Sequence, residues 1–375
     1  MADCPEQSIL KPVGTVGVLR AGVETATAIP QPKPGLASMH PAYFAMVMAT
    51  GIVSVGSNMQ GHHKLAVLML YLNVGFYATL WVLTLLRAAI YGSNVWADLI
   101  DHNRGVGFFT AVAATCVLGS QFAAILSDYP PAQVLLWFAI ALWAILMYTI
   151  FTAFTIKENK PSLSEGINGG WLAAVVATQA VANLAGLVLP RAYGDLPWVH
   201  FFSLTFWLCG GMLYIWVISL IFYRYTFFRL APSDLMPPYW INMGAMAIST
   251  LAGSRLIINA RSSEFLAGFL PFLKGFTVFF WATATWWVPM LAILFVWRHV
   301  YRRFKLRYDP LYWGAVFPLG MYSASTYQLA QVLDLPFLNG VARVFIYIAL
   351  SAWCLAFAGL VRGIVRLPTT QSVRA

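Results

Sequence analysis

The side chains able to ligate a metal, attack as nucleophiles or relay protons are few in this chain, and their spacing does not assemble them. Of six histidines, His62, His63, His102 and His299 fall in or beside short connections, His40 precedes Pro41, and His200 opens an apolar run. No H-E-x-x-H pair places two imidazoles on one helical face around zinc, and neither G-x-S-x-G nor G-x-x-x-x-G-K-[ST] occurs. Zinc hydrolysis, serine acyl transfer and ATP-driven pumping therefore have no residues to work with. No catalytic residue, metal ligand or cofactor is assigned, and His62-His63 reads as a pair of solvated loop imidazoles. Cys116, Cys209 and Cys354 stand inside apolar runs and Cys4 in the N-terminal tail, which fits small buried hydrophobes better than a disulfide framework.

The elements that could position any chemistry are membrane-spanning. The 375 residues are 60% hydrophobic and only 10% charged, against roughly 25% charged in an average soluble domain. So few charges cannot cover a water-facing surface, so lipid is the solvent for most of the chain. The 17 Tyr and 15 Trp suit the two bilayer interfaces. The net charge of +10 lies in short connections between apolar runs and reads as a topology signal, with no nucleic-acid partner implied. Ten runs approach the ~20 residues needed to span the hydrocarbon: 41–59, 65–90, 105–127, 131–156, 169–189, 198–223, 237–256, 272–297, 310–333 and 341–363.

The odd runs repeat one another. An aromatic residue follows Pro or Gly at Tyr43, Phe108, Trp171, Tyr239 and Tyr312, and seven positions later stand Thr50, Thr115 and Thr178, then Met246 and Leu319. A period near 65–70 residues with two helices per unit implies five helical hairpins. Odd runs are rich in Gly, Ala, Ser, Thr, Asn and Gln, whereas even runs are longer and more lipid-like, which predicts an inner and an outer ring. None of the odd runs, the seventh read to residue 254, contains Asp, Glu, Lys, Arg or His. A lumen without carboxylates does not repel anions, and hydroxyls, amides and helix ends can donate to them. That favours an anion or neutral solute on a passive path. An intramembrane enzyme is a remote alternative.

Seventeen Lys and Arg lie on the side bearing both termini and six on the other, which predicts cytoplasmic termini. The densest cluster, Arg298, Arg302, Arg303, Lys305 and Arg307, reads as an orientation signal and lipid-phosphate contact. Residues 1–37 are expected to form a disordered cytoplasmic tail, 38–365 the ten-helix domain, and 366–375 a cytoplasmic C-terminal tail.

The segment from His40 to Ser54, HPAYFAMVMATGIVS, resembles the first helix of the tellurite-resistance/dicarboxylate transporter (TDT) family, which includes the plant slow anion channels. FWATATWWVP from Phe280 and DPLYWGAVFPLGMY from Asp309 agree with it, so the resemblance covers about residues 38–365. It implies an all-α membrane protein with ten transmembrane helices, arranged as five hairpins in a quasi-fivefold array around a central pore, often in a homotrimer. It further implies a phenylalanine in a Phe-Pro pair of the ninth helix that plugs the pore, here Phe317-Pro318. On that helical face the next inward position is Gly320, with repeat equivalents Gly51, Cys116, Gln179 and Ala247. With Thr50, Thr115 and Thr178 these are the expected pore-lining residues. The expected function is plasma-membrane passage of a small anion: chloride, nitrate, sulfite or a C4-dicarboxylate such as malate. The alternative is a proton-coupled C4-dicarboxylate transporter. Tellurite resistance, as a phenotype, does not require tellurite as substrate.

Overall fold

The computed structural model describes residues 35–306 and 308–366. The expectations for the rest of both tails, including Cys4, and for Arg307 lie outside the described residues. Ten long helices follow one another: α1 Ala45–Met59, α2 His63–Ile90, α3 Phe109–Ile125, α4 Tyr129–Ile156, α5 Ala173–Tyr193, α6 Pro197–Phe227, α7 Ile241–Asn259, α8 Leu270–Val296, α9 Trp313–Leu333 and α10 Leu338–Arg366. Among the described residues nine spans are long and apolar enough to cross a membrane, and α9 is not in that set. Its composition explains this: α9 carries Tyr322, Ser323, Ser325 and Thr326, all fully or almost fully buried. A helix that turns these polar side chains towards other helices can be this polar.

Each odd helix opens with a 3-10 turn: Pro41–Phe44, Gly105–Phe108, Gly169–Leu172, Pro237–Trp240 and Pro310–Tyr312. Three begin with proline, whose fixed φ and missing N–H suit the first helical position. Side chains cap three of the turns. His40 Nδ1 accepts from the Ala42 N–H at 3.1 Å, Asn168 Oδ1 from Gly170 at 2.7 Å, and Asp309 Oδ1 from Leu311 at 2.8 Å. The five turns touch in sequence order, and the last meets the first. The helices they open do the same: α1 packs on α3, α3 on α5, α5 on α7, α7 on α9, and α9 returns to α1. Each even helix packs along the odd helix before it, outside this circuit.

Small residues permit the inner contacts. A Cβ on Gly320 would stand 2.9 Å from Val53 Cγ2, and one on Gly244 2.8 Å from the Pro318 ring. Before α1 the chain is tied down from Ala37, whose carbonyl accepts from Arg87 at 3.1 Å. Arg87 and Arg104 share Asp98 at 2.7 and 2.6 Å, and Arg104 also donates to the Met39 carbonyl at 3.2 Å. Of the cysteines, Cys116 is buried as expected from its run, Cys209 is half-buried, and Cys354 is exposed on α10. The expectation for Cys354 is thus corrected: an apolar run on an outer helix faces out as readily as in.

Candidate functional site

All five inner helices contribute to one central cavity of about 20 Å³, room for about one water. Its wall is layered along the helices. One layer is Ile52, Val117, Ala180, Ile248 and Met321, one residue from each inner helix. The next holds Val55, Ser120, Asn183 and Leu251, and the third Met59, Ala124, Leu187 and Arg255. The spacings of three and four residues between layers are those of a single helical face.

The register of this wall corrects the sequence reading. Of the eight expected lining residues, Cys116 lines the cavity; Gly51, Gln179, Ala247 and Gly320 each stand one residue before a lining position. Gly51 is packed towards Val117, Asn73 and Gln121, Gly320 towards Ile52 and Val53, and Ala247 is fully buried. The Gln179 amide donates to the Trp207 carbonyl at 2.9 Å. Thr50, Thr115 and Thr178 turn outward. Thr50 accepts from Trp353 Nε1 at 2.9 Å and Thr178 from Trp143 Nε1 at 2.8 Å, while Thr115 meets Tyr77 Oη at 2.8 Å. The same latch recurs as Trp207 to the Ser249 carbonyl at 2.8 Å and Trp281 to Thr326 at 3.0 Å. Every outer helix thus donates at least one aromatic N–H or O–H to the inner helix of the following pair, with α10 reaching round to α1. Small and polar residues mark where helices meet; the cavity wall itself is mostly aliphatic.

Phe317 lies one turn before Met321, on the same face of α9, and is 1% exposed. The equivalent positions on the other inner helices are Met48, Ala113, Val176 and Gly244, so Phe317 carries the one ring among the five. The cavity ends before it. Pro318 packs on Gly244 of α7 and removes one backbone donor from α9.

Arg255 was missed. The seventh helix continues to Asn259, which brings Arg255 onto the cavity face one turn beyond Leu251. The stem crosses beside Gly186, where a Cβ would come within 3.0 Å of Arg255 Cγ, and Asn259 fixes this spot by donating to the Gly186 carbonyl at 2.8 Å. Arg255 Nε is buried without a partner, as is Asn183 Oδ1 in the layer above. Among the described residues Arg255 joins no ion pair; the acids that do, Asp98, Asp195 and Asp234, all lie in connections. Two signals point to Arg255: its four-residue spacing from Leu251, and Ser263 capping the next short helix, which leaves α7 free to run to Asn259.

The histidines stay apart. His63 Nδ1 meets Asn58 at 2.8 Å, His200 meets Asp195 at 3.1 Å, and His102 stacks on Phe154 at 4.2 Å between centroids. Among the described residues no three His, Cys, Asp or Glu gather around a common point. Burial, with the nearby Arg104 guanidinium, lowers the His40 imidazole to about 4, so it caps its turn as a neutral acceptor.

Membrane-spanning helices around a central cavity whose described lining holds a cation and no acid fit a membrane protein for anion transport. The chain belongs to the voltage-dependent anion channel (SLAC1) family, whose model matches residues 38–361. It is 37% identical over 150 residues to an uncharacterised membrane protein of Mycobacterium tuberculosis, covering 40% of this chain and 75% of that one. An uncharacterised transporter of Methanocaldococcus jannaschii is 25% identical over 327 residues, 84% of this chain and 90% of its own. A sulfite efflux pump of Trichophyton rubrum is 22% identical over 347 residues, 86% and 90% of the two chains.

Proposed function

We propose that this chain is a plasma-membrane anion channel: ten crossings in five hairpins, arrayed quasi-fivefold around a pore that Phe317 closes, with both termini cytoplasmic. The observation that carries the reading is Arg255, a cation in the wall of the central cavity with no carboxylate beside it. In a low-dielectric passage one fixed positive charge favours anions strongly over cations. The starts of five inner helices converge at the opposite mouth, and their macrodipoles, each worth about +0.5 charge at the N-terminus, add to the same preference. Phe317 and Pro318 serve as the gate: a ring filling a narrow layer excludes water and ions by bulk and by dewetting, without any charged gate. Thr50, Thr115, Thr178 and the small residues beside the wall hold the helices in register rather than touching the ion.

The substrate is a compact anion such as chloride, nitrate or sulfite, and the relatives named sulfite efflux pumps make sulfite the first to try. Malate and other C4-dicarboxylates are the larger candidates. A proton-coupled carrier needs a proton site, and among the described residues the inner helices carry neither a carboxylate nor an imidazole. The test is flux into liposomes holding the purified protein, with voltage and pH gradient imposed separately. Anion flux should follow the electrochemical gradient with no proton carried, and Arg255→Gln should lower anion-over-cation selectivity about tenfold, equivalent to ~1.4 kcal/mol. Uphill malate accumulation driven by a pH gradient alone would reject the channel in favour of the carrier.

A further inference from the structure

A second cavity is much larger than the central one. It is a cleft of about 690 Å³ on the outside of the helix circuit, between α8 and α10, with α9 as its floor. That volume lies within the roughly 300–1,000 Å³ of ordinary ligand pockets. Its existence follows from packing: α8 leans along α7 and meets α9 only sparsely, so the outer face of α9 is left uncovered. The walls are apolar, with Leu291 and Phe295 from α8, Val316 and Leu319 from α9, and Leu355 and Ala356 from α10. Water has too few polar partners there to fill such a space.

One end of the cleft is cationic. Arg298 and Arg362 line it with the His299 imidazole beside them, and among the described residues no acid does. Arg298 sits in the π-helical turn Trp297–Tyr301 that ends α8, a local widening of the kind that often marks functional positions. Although 92% of its surface is buried (8% exposed), its Nε has no partner; a terminal nitrogen donates to the Leu235 carbonyl and the guanidinium lies 4.4 Å from the Phe304 ring centre. His299 Nε2 is likewise buried and unpartnered, while Nδ1 meets the Phe304 carbonyl at 2.9 Å. Asp309, in the following connection, accepts from the Leu311 N–H at 2.8 Å and joins no ion pair among the described residues. Arg302, Arg303 and Lys305 follow directly, and the mouth opens on the side where the described chain begins and ends.

We propose that this cleft binds one anionic phospholipid, its phosphate held by Arg298 and Arg362 and an acyl chain lying between α8 and α10 against α9. A buried guanidinium beside an exposed one, with no acid among the lining residues, suits phosphate, which a guanidinium can grip through two parallel hydrogen bonds. Clustered basic residues beside a membrane helix draw anionic lipid by charge. A free phosphate would satisfy the arginines and leave the apolar walls empty, so the ligand needs both parts. The site is independent of the pore reading. If Phe317 is the gate, however, the acyl chain braces the back of the gating helix, because Val316 and Leu319 flank it.

The test is native mass spectrometry of the delipidated protein offered equal phosphatidylglycerol and phosphatidylcholine. One phosphatidylglycerol should be retained at least tenfold over phosphatidylcholine. Arg362→Gln, at an exposed position that leaves the Leu235 contact intact, should remove most of that preference. Ala356→Trp should displace the lipid while leaving every cation in place. Equal retention of the two lipids, or undiminished retention by Ala356→Trp, would overturn the proposal. So would loss of an oligomer in Ala356→Trp without loss of lipid, which would make the cleft a contact between copies of the chain.

Discussion

The inner and outer helices obey opposite rules. The inner spans Pro41–Met59, Gly105–Ile125, Gly169–Tyr193 and Pro237–Asn259 are 72 to 94% buried at mean hydropathies of 1.3 to 1.9, while the outer spans are 17 to 39% buried at 1.7 to 2.3. On average the less hydrophobic helices are the more deeply buried. In water that order would be unstable; in lipid it is expected, because hydrocarbon rewards apolar outer faces while protein partners satisfy the polar groups inside. A buried polar side chain here is therefore a helix contact first, and a pore lining only if its position on the helix says so. Thr178 and Arg255 illustrate the two outcomes.

Three perturbations bear on this contrast, in descending order of expected effect. Phe317→Ala on inner α9 should raise basal anion current more than tenfold with thermal stability in detergent close to wild type. Phe279→Ala on outer α8, where the ring is 49% exposed, should change neither. If Phe317 were core packing, its truncation would cost about 3–5 kcal/mol and the protein would melt early without conducting more; a well-folded, non-conducting variant would remove the gate.

Next, Thr178→Val should strand the Trp143 indole N–H and destabilise the protein by about 1–3 kcal/mol, read as a lower Tm, with ion selectivity unchanged. A shift in selectivity at wild-type stability would return Thr178 to the pore wall.

The smallest effect concerns the cap on the first inner helix. His40 is held neutral with its imidazole near 4 rather than the ordinary 6.5. The unfolded chain therefore binds the extra proton between those values, so stability is full above about pH 6.5 and falls as the pH drops towards 4. His40→Asn, which retains a side-chain acceptor, should flatten the Tm profile across that window. An unchanged profile would show that His40 is not the titrating group.

Much of this architecture was legible. The Pro-or-Gly-then-aromatic starts marked all five 3-10 turns, because proline and glycine punctuate helix starts by fixed φ or by lack of a side chain. The helix ends read from hydropathy fell within a few residues of those found. The rotation of each helix was not legible. Inner helices are buried on all sides, so no amphipathic stripe indicates which face looks inward. Counting three residues on from Phe317, where the wall follows at four, chose Gly320 over Met321, and with it Gly51 over Ile52 and Gln179 over Ala180. Arg255 was hidden by a boundary: stopping the seventh run at the first charge removed the one cation that the passage contains among the described residues. The cleft behind α9 depends on how far α8 leans from its neighbour, which no local pattern encodes.

The contact between α1 and the last two helices has a consequence for how the molecule is made. Thr50 waits for Trp353, 303 residues later in the chain, and Gln60 for Ser323 and the Ala342 carbonyl. Helix α1 is among the least lipid-compatible, and while α2 and α3 follow it at once, its partners on the other flank, α9 and α10, are synthesised much later. Until then one flank of α1 is covered by lipid or by the insertion machinery. Biogenesis therefore ends in a single ring-closing step, and a nascent chain halted before α9 would present an open arc of polar helices rather than a smaller channel.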